Sequence, residues 1–387
     1  MKIEKINLSL YTFTLSLNEF QVNMGVCIGE DGILLVDTGW MMTAEEVLEN
    51  IRELDGGNVK LIIFTHQHLD HIGGRQILGA DATMIAHKQI RENLEGKYFH
   101  LAPLPGQEQP TILVDDQATI NFNGEEIRFI PAPGHTDSDM IVHFVNSNVV
   151  FMGDLLFSDS FPAVFTAFGG DVDTLISTLA GLMETLPEDI RLIAGHGRDY
   201  NLGELREYHQ MIVDTSELIK EGHAGGKDTA TMLEDGLITE WEKWSTDAIT
   251  TEQWIGFVSD CLTGQGPISI AEPLTLTIME QGVEAALDQY HDLKKNKPDH
   301  YNFGENEINL IGYNLLWREM FGEAIQILEL MVLDYPDSAN SYDSLADAYE
   351  QSGDLERARD LYQKSLSIDP EFTPSKEGLE RVSAGDK

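Results

Sequence analysis

The stretch KLIIFTHQHLDHIGG (60–74) constrains this 387-residue chain more than any other. KLIIF is an apolar run that reads as a buried strand, and a polar, histidine-rich turn follows it with no spacer. In H-x-H-x-D-H, His66 and His68 leave the strand end two residues apart and project together. Asp70 and His71 come from the next turn and the start of a helix, ahead of Gly73-Gly74. Four ligand-type side chains therefore converge on one loop. Imidazole and carboxylate without thiolate suit Zn2+, with Fe or Mn as alternatives.

Around this motif, residues 1 to about 200 alternate strand and helix signals. Strands are expected at 4–15, 22–28, 32–37, 60–64, 82–86, 126–131, 140–145, 148–152 and 190–194, and helices at 43–54, 72–79, 87–94, 171–186 and 203–221. Thr43 reads as an N-cap, with Glu46 completing a capping box. Long apolar strands interspersed with helices predict sheet layers covered by helices. Three further segments place one candidate ligand each after a strand: PAPGHTDSD (131–139) with His135, FMGDLLF (151–157) with Asp154, and IAGHGRD (193–199) with His196.

These four motifs, in this order, resemble those of the metallo-β-lactamase superfamily. The resemblance implies an α/β fold, a four-layer αββα sandwich with the site at one edge of its paired sheets. It implies that His66, His68 and His135 hold a first metal, that Asp70, His71 and His196 hold a second, and that Asp154 bridges both. Asp37 in LLVDTG matches an aspartate that supports the metal loop from behind. Two Zn2+ per chain would share a water and lower its pKa, and the resulting hydroxide would attack a carbonyl of an ester, thioester, lactone or amide. Asp70 would carry a proton to the leaving group. A bridging aspartate is similar to glyoxalase II and the lactonases, whereas true β-lactamases place Cys or Ser where Asp154 stands. β-Lactamase-type amide hydrolysis is kept as an alternative, as is an iron-dependent redox enzyme or a partner-binding protein with a secondary metal site. The other histidines (87, 100, 143, 209, 223, 291, 300) match no metal motif and read as structural or surface residues.

Charge narrows the substrate. With 66 acids against 25 bases the net charge is −41, which repels nucleic acid and anionic membrane surfaces. No apolar run reaches bilayer-spanning length, and MKIEKINLSLYTFTLSL reads as a strand, not a signal peptide. A cytoplasmic protein acting on a small molecule is expected, or a periplasmic or secreted one if a leader was removed. Cys27 and Cys261 lie far apart outside any CxxC spacing and read as small hydrophobes. Phe157, Phe161, Phe165 and Phe168, in the loop after Asp154, either pack that loop or wall a substrate pocket, with KYFHLAPLPG (97–106) as an opposite wall.

The domain plan is 1–221 for the hydrolase domain, 222–281 for a helical insert or linker, and 282–387 for an all-α tetratricopeptide-like domain. Trp241, Trp244 and Trp254 read as packing residues of the insert. In the last region AIQILELMVLDYP (324–336) aligns with ARDLYQKSLSIDP (358–370) at an offset of 34 residues, the tetratricopeptide period, and Gly312 aligns with Ala346. Two helix pairs, 306–334 and 340–368, are predicted, preceded by the helix 282–293. This tail resembles that of a bacterial group joining the hydrolase domain to such repeats. Two repeats bury little alone, so docking on the hydrolase domain, a homo-oligomer or a protein partner is expected.

Overall fold

A computed structural model describes residues 1–17, 20–54, 57–95, 110–264, 268–298 and 300–384. They fall into two compact units, 1–264 and 268–384.

The first unit contains two sheets. One has seven strands in chain order: β1 (Lys2–Lys5), β2 (Leu10–Leu17), β3 (Phe20–Gly29), β4 (Gly32–Val36), β5 (Val59–Ile63), β6 (Thr83–His87) and β7 (Ile112–Val114). It is antiparallel through β4 and parallel from β4 to β7. The second has the order β12-β11-β10-β9-β8, from β8 (Ala118–Phe122), β9 (Glu125–Pro131), β10 (Met140–Phe144), β11 (Val149–Phe151) and β12 (Arg191–Ile193). It is antiparallel except for the β11–β12 pair.

Alternation decides which residues meet between the sheets. Cys27, Leu34, Val36, Ile63 and Ile85 of the first sheet pack with Ile127, Phe129, Val142, Phe144 and Phe151 of the second in one buried cluster. Helices cover the outer faces. On the first sheet, the helix Ala44–Leu54 buries Ala44, Val47 and Ile51. On the second, Ile141, Val150 and Leu192 pack with Leu175, Leu179, Leu205, Tyr208, Trp254 and Val258 from the helices Val172–Thr185, Leu202–Ala224 and Thr251–Thr263. This is the expected αββα layering.

Local departures from expectation have local causes. Thr43 ends a short 3-10 turn and its hydroxyl donates to the carbonyl of Trp40 (2.9 Å), so the cap reading does not describe it. Full capping boxes occur instead at Asn201/Glu204 and Thr250/Gln253. The expected strand 4–15 is interrupted at 6–9, where Asn7 Oδ1 accepts from the backbone of Ser9 and Leu10 and turns the chain. Cys27 and Cys261 are free thiols, pushed up to about 11 by burial.

The stretch 222–281 is shared between the units. Met232, Trp244, Trp254 and Ile255 complete the core over the second sheet, with Phe161 stacked on Trp254 (5.9 Å, 10°). Ile270, Leu274 and Ile278 instead join the core of the second unit. That unit is helical: Ala271–Gln281, Val283–Asn296, Glu305–Trp317, Phe321–Asp334, Ala339–Ser352, Leu355–Ile368 and Thr373–Ala384. Alternate helices start at Ala271, Glu305, Ala339 and Thr373, each 34 residues after the last. The period thus extends one helix pair before and one helix after the two predicted pairs.

Candidate metal centre

Strand direction explains why the ligand-type residues meet. β4 and β5 run parallel, as do β11 and β12, and β9 runs with β11 because each is antiparallel to β10. The loops that follow β4, β5, β9, β11 and β12 therefore leave at one edge of the paired sheets. They carry Asp37, then His66 to His71, then His135, Asp154 and His196.

All seven candidate ligands come together. His66, His68, His135 and Asp154 form one group, and Asp70, His71, Asp154 and His196 another, with the ligand atoms of each group within 4.8 Å of one another. In the first, His68 Nδ1 lies 3.0 Å from His66 Nε2 and 2.9 Å from His135 Nε2. Asp154 Oδ2 stands 3.6 and 3.5 Å from those two Nε2 atoms. In the second, His71 Nε2 is 3.1 Å from Asp154 Oδ1, and His196 Nε2 is 3.3 Å from both Asp70 Oδ2 and Asp154 Oδ2. Asp154 is the member common to both.

The outward ring nitrogens are fixed by partners that set the tautomers. His135 Nδ1 donates to Ala163 O (2.8 Å) and His196 Nδ1 to Gln21 O (2.5 Å). Asp37 receives His71 Nδ1 (2.8 Å), Thr65 N (2.8 Å) and the Thr65 hydroxyl (2.8 Å). Since that hydroxyl donates to Asp37, it accepts from His66 Nδ1 at 3.2 Å. Each of these four rings thus turns its Nε2 inward. Asp37 holds this position in the left-handed region, φ 64°.

Electrostatics separates the two halves. Burial holds His66, His68 and His135 below the usual imidazole range, His68 at about 3, so these rings are neutral donors. Burial also opposes charge on His71 and His196, but Asp154 and Asp70 outweigh it and raise both, His196 to about 10. Asp70 is held at about 2: burial raises it, and His71 and His196 more than reverse this. The second half is thus two carboxylates that demand positive charge.

The donor set fits metal ions. His71 Nε2 and Asp154 Oδ1 are buried, 3.1 Å apart, and neither has a hydrogen-bond partner. A buried ring nitrogen and a buried carboxylate oxygen without hydrogen bonds cost stability, and a cation bound between them would offset that. The opening runs past His68, Asp70 and His196, the partly exposed members, with the Asp70 and His196 side chains 21% and 18% exposed, while His66, His71 and His135 are sealed.

The phenylalanines after Asp154 divide in role. Phe161 is fully buried packing. Phe157 stacks on His196 (4.8 Å, 11°). Phe165 and Phe168, both half-buried, stand edge-on to His68 at 5.1 and 5.0 Å, and Phe257 backs Phe165. The segment 97–106, His100 included, lies outside the described residues. Among the described residues no other cluster of His, Cys, Asp or Glu has metal-type geometry. The supports at Gln21, Asn23, Thr65 and Ala163 escaped the sequence reading. Only Thr65, adjacent to His66, carried a signal there, because carbonyl and amide partners follow from the fold alone.

A profile of the Metallo-beta-lactamase superfamily matches residues 17–196, and a Tetratricopeptide repeat profile matches 318–371. A hydroxyacylglutathione hydrolase of Gloeobacter violaceus is 32% identical over 45% of this chain and 63% of its own length. Another from Synechococcus sp. is 32% identical over 42% of this chain and 58% of its length, so the chain spans about three fifths of these relatives. The hydroxyacylglutathione hydrolase GloC of Haemophilus influenzae is 29% identical over 47% of this chain and 88% of its own. A solved double mutant of the sec-alkyl sulfatase PisA1 matches in fold with a TM-score of 0.55, at 14% identity, over 95% of this chain and 65% of that one. Sequence, layering and the edge-of-sheet histidine cluster agree: residues 17–196 form a metallo-beta-lactamase superfamily domain, in a chain that carries tetratricopeptide repeats at 318–371.

Proposed function

We propose that this chain is a dinuclear metallo-hydrolase, loaded with two Zn2+, that cleaves an ester, thioester, lactone or amide bond of a small molecule. The observation that carries the reading is Asp154, whose carboxylate belongs to both ligand groups. His66, His68 and His135 would hold one ion and Asp70, His71 and His196 the other. Bound there, two divalent ions supply Lewis acidity toward a carbonyl and a water made acidic near neutral pH. The chain itself contributes orientation and access. Asp37, Thr65, Ala163 and Gln21 lock the ring tautomers, so no reorganisation is needed during turnover. Asp70, partly exposed, would pass a proton to a leaving group. Phe165 and Phe168, edge-on to His68, would offer an apolar wall to the substrate.

Relatives named hydroxyacylglutathione hydrolase favour a thioester among the four bond types. The repeats are read as a surface for a protein partner or a second copy. The test is elemental analysis of the purified chain with rates on a panel of chromogenic thioesters, lactones, esters and β-lactams, before and after chelation. Two ions per chain, with activity lost on chelation and restored by zinc, is the expected result. One ion per chain, with Asp154→Ala leaving both the number and the rate unchanged, overturns it.

A further inference from the structure

The loop Ala194–Arg198, which brings His196 to the site, is gripped by one side chain from the other sheet. Asn23, on β3 and 6% exposed, donates through Nδ2 to Ala194 O (3.0 Å) and to Gly197 O (2.8 Å). Its backbone N–H donates to Gly195 O (2.8 Å). One residue thus binds the three carbonyls that flank His196 on either side.

The amide can face only one way. Its Oδ1 accepts from the hydroxyl of Thr14 (2.8 Å), the residue directly opposite in the antiparallel β2–β3 pair. Reversing the amide would point an oxygen at two carbonyls. The same strand supplies Gln21 O, two residues earlier and on the same edge as the Asn23 N–H, to His196 Nδ1. β3 therefore fixes both the backbone around His196 and the outward nitrogen of its ring. The other candidate ligands have different supports: Asp37 for His71, Thr65 for His66 and Ala163 for His135.

We infer that Asn23 is a positioning residue for His196, and that it governs loading of the Asp70/His71/Asp154/His196 half of the centre selectively. This rests on the two-ion reading above. Asn23 touches neither ligand group, so its effect passes through the 194–198 backbone. Loss of a group that orients a metal ligand typically weakens binding about 10–100-fold. Here the loss falls on one half, because nothing from Asn23 reaches the His66, His68 or His135 loops in the hydrogen bonds of the described residues.

The experiment is a stepwise Zn2+ titration of the metal-free full chain against a competing chromogenic chelator. His196→Ala identifies which of the two steps belongs to the affected half. In Asn23→Ala that step weakens about 10–100-fold while the other stays within about threefold. Thr14→Val, which removes the hydroxyl that orients the amide and leaves Asn23 in place, weakens the same step to a smaller extent, and it carries the test if Asn23→Ala does not fold. Two ions in the wild-type chain, with both variants unchanged or with both steps weakened alike, overturn the clamp and leave the two-ion reading standing. A single ion in the wild-type chain overturns that reading, and the selectivity assigned to Asn23 with it.

Discussion

Gly195 gives the sharpest test of how tightly the centre is built. It precedes His196, and its own N–H donates to Gly153 O (2.9 Å) while its carbonyl is held by Asn23 N (2.8 Å). A Cβ placed on Gly195 would overlap Asp154 Oδ1 and sit 2.8 Å from the carbonyl carbon and oxygen of Gly153. Real Cβ atoms keep at least 3.0 Å from such neighbours. The loop cannot retreat without breaking the Gly153 and Asn23 bonds, so Gly195→Ala must displace Asp154, the residue shared by both ligand groups, by roughly an ångström. A misplacement of that size costs on the order of 10²-fold in rate, and overpacking adds about 1–3 kcal/mol of destabilisation. Gly181→Ala is the matched control. Gly181 lies inside the helix Val172–Thr185, a Cβ there meets nothing within 4 Å, and the exchange should stabilise by about 0.4–1 kcal/mol. The assay is kcat/KM on the best substrate of the panel, metal content by elemental analysis, and thermal unfolding of both variants. A Gly195→Ala chain with two ions and a rate within about twofold of wild type would refute the reasoning.

Three further outcomes follow from the same geometry. Asp37→Ala removes the acceptor of three hydrogen bonds behind His71 and Thr65, so metal affinity should fall about 10–100-fold in the same titration; unchanged affinity would show that backbone packing alone holds the loop. Burial pushes Asp343 up to about 6, against the Ser375 hydroxyl that donates to it (2.6 Å). The folded chain therefore keeps a proton that the unfolded chain loses near pH 4, and this contribution is full below pH 4 and lost as pH rises through 6, by up to about 3 kcal/mol. Asp343→Asn should flatten that part of the stability profile measured by thermal unfolding between pH 4 and 7; an unaltered slope would count against it. Truncation after residue 303 strips Ile270, Leu274, Ile278, Ala286 and Tyr290 of their cover and should aggregate in light scattering, whereas truncation after 264 leaves the core of the first unit whole and should stay monodisperse and bind metal. The reverse order of solubility would contradict this division.

What the chain determines locally was legible in its sequence. The run KLIIF needs burial and the residues after it cannot continue a strand, so the place and type of His66, His68, Asp70 and His71 could be read from a dozen residues. The same holds for His135, Asp154 and His196, each just past a strand, and for the 34-residue offset between Ala324 and Ala358. The helix at 282–293 was read, but Ala271–Gln281 and its pairing with Val283–Asn296 as a further repeat were not legible, because Ile278 and Tyr290 stand where the recognised repeats have Gly312 or Ala346 and Ala324 or Ala358. Large buried side chains there pack a terminal pair that no further pair constrains in the described residues, and they erase the signature of small residues. Strands β7 and β8 were missed because three to five residues with exposed positions carry too little pattern.

Only the tertiary structure decided which distant groups serve the candidate ligands. Strand parity carries five loops to one edge, and the pairing of β3 against the β12 loop sets Gln21 and Asn23 beside His196, some 170 positions away. Ala163 O and Gln21 O are backbone atoms, available at every residue and therefore invisible as a motif until the fold aims them. The division of Phe157, Phe161, Phe165 and Phe168 between packing and the site has the same origin: their spacing is compatible with either, and it is the position of Trp254 and His68 in space that separates them. Residue chemistry and strand ends are properties of short segments, while orientation and support come from contacts between segments that only the closed sandwich brings together.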